Sequence, residues 1–160
     1  KVGQDITIAA ISYLLKKQPY AAKQKNNFGI TPLHQAIWYG APFQVVAALL
    51  KIWPDAAKEK NTFQITPLHR ACASFEIVSA LLKACPEAAK EKDGDGRTHL
   101  HFACSRRAPL KVFSALLTAY PDAVNVKDND YDKTPLQAAC SLRAPLEIVI
   151  PLLNTWLSYK

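Results

Sequence analysis

The sequence contains four similar units of about 35 residues, and this repetition limits the fold more than any other feature of the sequence. A threonine opens a similar tetrapeptide in each copy, with spacings of 35, 32 and 36 residues. The tetrapeptides stand at Thr31–His34, Thr66–His69, Thr98–His101 and Thr134–Gln137. A second marker, a proline four residues after a Leu-Leu pair, recurs in step at Pro19, Pro54, Pro86 and Pro121. Two markers that keep step over four units indicate a stack of similar structural units.

Apolar residues between the markers follow a helical period. After each threonine they recur at offsets 2, 5 and 6, which places them on one face of a short helix. The threonine suits the N-cap, and the proline that usually follows it suits the first helical position. A second stripe has the spacing i, i+3, i+4, i+7, for example at Val46, Leu49, Leu50 and Trp53. Each unit is therefore predicted to be helix, turn, helix and loop, without a strand.

The threonine motif resembles the signature of the ankyrin repeat. Thr-Pro-Leu-His-x-Ala is complete at Thr31–Ala36 and Thr66–Ala71, whereas His99 replaces the proline of the third unit and Gln137 the histidine of the fourth. The resemblance implies an all-α, ankyrin-type helical-repeat solenoid, in which stacked helix pairs with long connecting loops form a concave face. The predicted units are a half repeat over 1–25 and four repeats over 26–60, 61–92, 93–128 and 129–160.

The segment after each second helix departs from the usual ankyrin pattern. A proline, an acidic residue and an alanine stand there, as at Pro54–Ala56 and Pro86–Ala88, in place of Gly-Ala-Asp. Proline ends the preceding helix, and an acidic residue after it favours a new helical turn. The hairpin fingers typical of the family are therefore expected to be replaced by extra turns and loops.

Two further positions vary between the units. The glycine expected two residues before the threonine is present as Gly29 and Gly96 but is replaced by Gln64 and Asp132, so those two loops are expected to turn differently. The second unit is also three residues shorter between its helices, where only Ala73–Phe75 stands. This difference predicts a notch at one edge of the stack, which is either a partner site or neutral drift.

Four cysteines raise the question of a disulfide or a zinc site. Cys72, Cys104 and Cys140 occupy the same position of successive first helices. Neighbouring helices lie about 8–10 Å apart, beyond the Cα separation that a disulfide tolerates. We therefore interpret the three as small buried apolar residues, and Cys85 as the packed end of a second helix. Unbonded cysteines favour a reducing compartment, the cytosol or the nucleus.

The remaining chemistry-bearing residues do not form a catalytic pattern. His69–Cys72 and His101–Cys104 have a spacing that two metal ligands could use, but the resemblance implies that these histidines hydrogen-bond loop backbone and tie neighbouring units. Asp93–Gly96 is typical of a turn, because the later ligands of a calcium loop are missing. Since the sequence also lacks a nucleophile–base set and a phosphate loop, we expect no enzymatic activity, no cofactor and no metal.

The candidate binding surface is the concave side of the stack. The resemblance implies that partners meet outward-facing residues of the first helices and the loops before each threonine. The candidates on the helices are Trp38, Tyr39, Arg70, Phe102 and Arg106, with Arg107 and Arg143 beside them, and the loops add Phe28, Phe63 and Tyr131. These residue types are enriched at interface hot spots. The alternatives are packing between loops for the phenylalanines, cover for the first helix pair for Trp38 and Tyr39, and helix capping for Arg106 and Arg107.

The net charge of +7 supports a second hypothesis. Lysines are concentrated in residues 1–51, where only Asp5 opposes them. They are Lys1, Lys16, Lys17, Lys23, Lys25 and Lys51, which we call the lysine patch. Such a patch would contact nucleic acid or an anionic membrane surface. Aromatic residues do not alternate with the lysines along one stripe, so a protein partner is favoured over nucleic acid.

The ends of the stack carry a further expectation. The chain opens on a half unit and closes on Pro151, Trp156 and Tyr159, whereas repeat stacks normally need polar terminal units. We therefore expect the array to continue, to pair with another chain or to lie within a larger assembly. The function predicted from the sequence is a scaffold or adaptor that binds a protein whose identity the residues do not encode.

Overall fold

The computed structural model describes residues 13–159, and all of its regular secondary structure is helical. Each repeat has a short inner helix after the threonine and a longer outer helix. The inner helices are α1 (Pro32–Trp38), α3 (Pro67–Arg70), α5 (His99–Ser105) and α7 (Pro135–Ser141). The outer helices are α2 (Phe43–Ile52), α4 (Phe75–Ala84), α6 (Leu110–Ala119) and α8 (Leu146–Leu157). No strand occurs within residues 13–159, so the predicted all-α repeat fold is confirmed.

The helix pairs stack side by side along the chain. Each inner helix contacts the next inner helix, and each outer helix contacts the next outer helix. The core lies between the two rows, where Leu33, Leu68 and Leu100 are at most 1% exposed. The predicted half repeat contributes Leu15 from a helical segment over 13–17, while its first 12 residues lie outside the described part of the chain. Within the described part, no helix is both long and apolar enough to cross a membrane.

The threonines cap the inner helices, as predicted. Each threonine N–H donates to the side chain three residues later, which is histidine in three units and Gln137 in the fourth. The backbone N–H of that residue donates back to the threonine hydroxyl in units one, two and four. This reciprocal arrangement satisfies two of the donors that a helix start leaves without partners. Because the fourth unit closes with glutamine, the cap does not depend on an imidazole.

The prolines that follow the outer helices begin short 3-10 turns, which confirms the prediction that the hairpin fingers are rebuilt. The four turns are Pro19–Lys23, Pro54–Lys58, Pro86–Lys90 and Pro121–Asn125. Apart from the exposed Ala21, their alanines are buried, and each turn contacts the outer helix of the following unit. The turns therefore add packing between neighbouring units.

The loops before the threonines turn in the same way in the first three units, and the fourth loop, which is one residue longer, keeps a left-handed residue in the same position. Gly29 and Gly96 have positive φ angles of 69° and 71°, and Gln64 and Asp132 have φ angles of 59° and 53°. The expectation of a different turn is therefore wrong for the loop at Gln64, whereas the loop at Asp132 does differ by one extra residue while keeping the positive φ angle. Both residues adopt the left-handed conformation despite the steric cost of a Cβ atom.

A side chain at the start of each loop explains this shared geometry. The Oδ1 atom of that side chain accepts two backbone N–H groups further along, for example from Phe63 and Ile65 at distances of 2.9 and 3.0 Å in the second loop. The four side chains that do this are Asn26, Asn61, Asp93 and Asp128. These bonds hold the loop closed whichever residue occupies the left-handed position.

We predict that Gln64→Gly raises the free energy of unfolding by about 1 kcal/mol, because glycine adopts a φ angle of 59° without strain. The variant and the wild type are compared by urea denaturation followed by circular dichroism. Gln64→Ala is the matched control, since alanine keeps the Cβ atom and should give no gain. Equal stabilisation by both substitutions would contradict this account.

The second unit is short because its inner helix has lost a turn. The inner helix α3 has 4 residues, whereas α1, α5 and α7 each have 7. Ser74 then caps α4 by accepting the N–H of Ile77. The predicted three-residue difference therefore shortens the concave row of helices at its second member.

Candidate protein-binding face

Four residues from three consecutive units form a row along the inner helices, and we call them the arginine–aromatic row: Trp38, Arg70, Phe102 and Arg106. The guanidinium carbon of Arg70 lies 4.2 Å from the centroid of the Trp38 ring, and that of Arg106 lies 5.6 Å from the centroid of the Phe102 ring. At these distances each cation is attracted to the face of its ring. The row therefore presents arginines that are already held in place by aromatic side chains.

Exposure within the predicted set is uneven. Trp38 is 52% exposed and Tyr39 is 83% exposed, so both are open to a partner. Phe102 is only 8% exposed, and the expectation that it faces outward is wrong. Its ring packs edge-on against the ring of His69, with 4.9 Å between centroids. The buried Phe102 ring thus packs against the guanidinium groups of the neighbouring arginines and is not itself available to a partner.

The arginines of this region differ in whether they are paired. Arg97, which also lies against Phe102, forms salt bridges of 2.8 and 2.6 Å with Asp93 and Asp95. Among the described residues, no acidic side chain forms a salt bridge with Arg70 or Arg106. Burial lowers the pKa of Arg70, and the charge of Arg106 lowers it further. The Nε atom of Arg70 is buried and has no hydrogen-bond partner.

The loop aromatics border this face. Phe28, Phe63 and Tyr131 are 59%, 66% and 74% exposed, so their rings are mostly open. Neighbouring loops are joined through backbone, since the N–H of Thr62 donates to the carbonyl of Phe28. Phe63 lines a cleft that also contains Trp38 and Arg70. Tyr131 lines a separate cleft of about 230 Å³ beside Phe102, Ala138 and Leu142. Because both phenylalanine rings are mostly exposed, the alternative that they are buried by packing between neighbouring loops is not favoured.

Arg107 and Arg143 line a different cleft from the one beside Trp38 and Arg70. Both have positive φ angles, 50° and 52°, in the position that Gly40 occupies in the first unit. Their backbone N–H groups donate to the last turn of the inner helix, so the backbone, and not the guanidinium, satisfies that helix end. They line a cleft with Pro109 and Pro145 at the helix–helix turns. The structure therefore separates them from Trp38, Arg70 and Arg106.

Comparison with protein families agrees with this architecture. The family described as ankyrin repeats (3 copies) matches residues 41–128 and 75–155, which together cover more than half of the sequence. The chain belongs to the ankyrin-repeat family. Ankyrin repeats are generally protein–protein interaction modules and are typically non-catalytic. No curated protein is similar enough to this chain to count as a match.

The signature histidines of this ankyrin-repeat protein join neighbouring units. Since Nδ1 accepts the threonine N–H, the proton of the neutral ring is on Nε2, which donates to the carbonyl of the next loop. The acceptor is Ile65 for His34 and Lys133 for His101, at 3.0 and 2.9 Å. The predicted structural role is thereby confirmed for His101, and His34 has the same role in the first unit. For His69 the carbonyl of Arg97 lies in the corresponding place and partly offsets the lowering of the ring's pKa by burial, but Nε2 forms no regular hydrogen bond, so the predicted tie is not confirmed at His69.

His99, which replaces the signature proline, creates an interaction that the sequence reasoning missed. Its ring stacks on that of His69 with 3.8 Å between centroids. Its Nδ1–H donates to the carbonyl of Ala89, and its Nε2 lies 3.3 Å from the hydroxyl of Thr66. Burial lowers the pKa of His69 to about 3 and lowers that of His99 well below its usual value. A second histidine in the third tetrapeptide was the only signal of this pair.

The cysteines of the ankyrin-repeat protein are buried except in the last unit. Cys72 and Cys104 are 0% and 2% exposed, and burial raises the pKa of their thiols to about 11 and about 12. Cys85 is also buried, as predicted. Cys140 is exposed, so its predicted burial is wrong, because no described residue covers the far side of α7. Within residues 13–159, no group of three or more histidine, cysteine, aspartate or glutamate side chains could hold a metal ion.

The lysine patch is only partly free. Lys25 forms a salt bridge with Glu59 of the next unit, and Lys17 lies 5.7 Å from the centroid of the Tyr13 ring. Lys16, Lys23 and Lys51 are exposed. Lys1 and Asp5 lie outside the described residues. Fewer of its lysines are therefore free to bind an anion than the sequence alone indicates.

Proposed function

We propose that this ankyrin-repeat protein is a non-catalytic scaffold or adaptor that binds a protein partner on its concave face. The observation that carries the proposal is the stack of Arg70 on the half-exposed Trp38 ring, with 4.2 Å between cation and centroid. Tryptophan and arginine are the types most enriched among the few residues that dominate binding energy. Here the Trp38 ring is half exposed and Arg70 is partly exposed, so a partner can reach both side chains while they remain in contact.

The stack also lowers the cost of binding. A free arginine loses much side-chain entropy when a partner immobilises it, whereas Arg70 is already held against a rigid ring. A cation–π contact contributes about 0.5 kcal/mol when exposed and about 2 kcal/mol when a partner excludes water. The pair would therefore become stronger in the complex than in the free protein.

We predict that Trp38→Ala weakens partner binding about tenfold or more without unfolding the chain, and that Arg106→Ala weakens it in the same direction. Wild type and variants are immobilised, exposed to nuclease-treated lysate of the source cells, and washed at low and at high salt. Bound proteins are identified by mass spectrometry, and their affinities are then measured with purified partner. Tyr20→Ala is the matched control, because Tyr20 is 73% exposed on a 3-10 turn outside the concave face.

Two results would contradict the proposal. A partner that binds both concave-face variants as tightly as the wild type would rule out this face. Material that is lost on nuclease treatment or in high salt would instead support the lysine patch and an anionic surface, since contacts to many phosphates weaken steeply with salt.

We also propose that the protein works in the cytosol or the nucleus. Support comes from Cys72, Cys85 and Cys104, which are buried without a disulfide. Thiol labelling of denatured protein isolated from its source should find every cysteine reactive. A disulfide between any two of them would overturn this placement.

A further inference from the structure

We propose that the segment bound on the concave face is an acidic peptide segment, and that one of its carboxylates binds between Arg70 and Arg106. The inference rests on the proposed function, because it names the partner chemistry of the same face. It goes beyond that function by assigning a position to one charged group of the partner.

The first argument is the contrast between paired and unpaired arginines on one surface. Arg97 is neutralised by Asp93 and Asp95 within its own loop. Arg70 and Arg106 come from neighbouring units, are close enough to repel each other, and form no salt bridge with any acidic residue in the described part of the chain. A bound carboxylate would replace this repulsion with two attractions.

The second argument is the partial desolvation of Arg70. Its Nε atom is out of contact with water and has no acceptor, and its ring-facing side is covered by Trp38. A cation in this situation is costly unless an anion pairs with it. Arginine matches a carboxylate well, because its planar guanidinium donates two parallel N–H bonds.

The surroundings favour a peptide over nucleic acid. A single strand stacks its bases on open aromatic faces along a basic groove, but the two rings that contact Arg70 and Arg106 offer little free face, because Phe102 is buried and one face of Trp38 is occupied by Arg70. Acidic side chains also border both neighbouring clefts, with Asp95 in one and Asp130 in the other. These carboxylates would repel a continuous polyanion but tolerate a segment with a single well-placed charge.

The cleft beside the row accounts for a second part of such a segment. It holds about 230 Å³, and its apolar lining comes from Phe102, Tyr131, Ala138 and Leu142, while Arg97, Asp128, Asp130 and Lys133 also border it. Apolar carbon dominates this lining, so an aliphatic side chain of the peptide would lose contact with water there. The preferred segment therefore carries an acidic residue together with an aliphatic residue toward the fourth repeat.

The test selects ligands without assuming a natural partner. A display library of random peptides of about 16 residues, long enough to cross three units, is selected on the whole chain. We expect enrichment of aspartate and glutamate. A selected peptide should then bind Arg70→Gln and Arg106→Gln about tenfold more weakly than the wild type. Lys51→Gln on the outer helix removes the same charge and serves as the control, with affinity expected to remain unchanged.

Several outcomes would overturn the inference. Selected peptides without acidic residues whose binding is lost in Trp38→Ala would refute it while leaving the concave-face function intact. Acidic peptides that bind the Arg70→Gln, Arg106→Gln double variant as well as the wild type would also refute it, as would a library that yields no binder. An oligothymidine that binds through the same two arginines and displaces the peptides would assign the site to nucleic acid instead. Circular dichroism confirms that each variant is folded.

Discussion

Acidification from pH 7 to pH 5 is expected to lower the free energy of unfolding by at least about 2 kcal/mol. His69 accounts for this amount by itself. Its pKa is about 3 in the folded chain and 6.5 in the unfolded chain, so at pH 5 only the unfolded chain takes up the proton. Since the pKa is lowered by folding, the stability is complete above pH 6.5 and is lost progressively as the pH falls toward 3.

The hydrogen bonds of the middle interface explain why a proton is excluded. Nδ1 of His69 accepts the N–H of Thr66, and a proton at Nδ1 would face that donor and open the cap of α3. The ring stacks on His99, which is itself fully buried. Burial is the main cause of the lowered pKa, and the positive charges of Lys60, Arg97 and Arg106 add to it. His34, His99 and His101 also have pKa values lowered by burial, so they act in the same direction.

The chain supplies its own control for this prediction. Gln137 closes the cap of α7 in the position that His69 has in α3, without a titrating group. His69→Gln should therefore fold and should lose about 2 kcal/mol less than the wild type between pH 7 and pH 5. Urea denaturation at each pH measures the difference, and proton NMR follows the imidazole directly. A His69 resonance that titrates near 6.5, or an unchanged pH response of the variant, would contradict the account.

Truncation of a central inner-helix leucine is the second large expected effect. Leu68 and Leu100 are 0% and 1% exposed, and each packs between two neighbouring units. Leu68→Ala and Leu100→Ala are each expected to cost about 3 to 5 kcal/mol, because the substitution removes buried methyl groups and leaves a cavity. Domains of this size are stable by only about 5 to 15 kcal/mol, so either variant would lose a large share of the total.

The same substitution in the fourth unit measures how much of that cost comes from stacking. Leu136 occupies the corresponding position but is only partly buried, because no described residue packs on the far side of α7. Leu136→Ala should therefore cost about 1 to 2 kcal/mol. The three variants are compared by chemical denaturation with fluorescence and circular dichroism. Equal losses at all three positions would show that packing between units does not set the stability of the inner row.

Most of the fold could be predicted from the sequence. The threonine caps at Thr31 and Thr66 and the 3-10 turns that begin at Pro54 and Pro86 all appear where the pattern puts them. These features depend on residues that lie within about one helical turn of each other, so the order of the residues specifies them almost directly. The repetition then assigns the same structure to every unit.

The turn of each loop could not be predicted from the residue at the left-handed position alone. The replacement of glycine by Gln64 and Asp132 suggested a different turn, yet both residues keep the positive φ angle, and the loop at Gln64 keeps the whole hydrogen-bond pattern of the glycine loops. The signal was present five or six residues before the threonine, where Asn61 and Asp128 accept the loop N–H groups. Several hydrogen bonds outweigh the strain of one left-handed residue, and this balance cannot be judged from the strained position alone.

The sequence by itself determined the repeat period, the starts of the inner helices and the resemblance to the family, because the caps and the periodic apolar positions lie within one unit. Only the tertiary structure decided which candidate side chains meet. It brought Arg70 onto Trp38, buried Phe102 beneath the arginines, left Cys140 exposed and placed Arg107 beside a different cleft. Each of these outcomes depends on a neighbour about one repeat away in the chain, or on the lack of one among the described residues. Sequence offsets specify the face of a helix, but the next helix in the stack decides what covers that face.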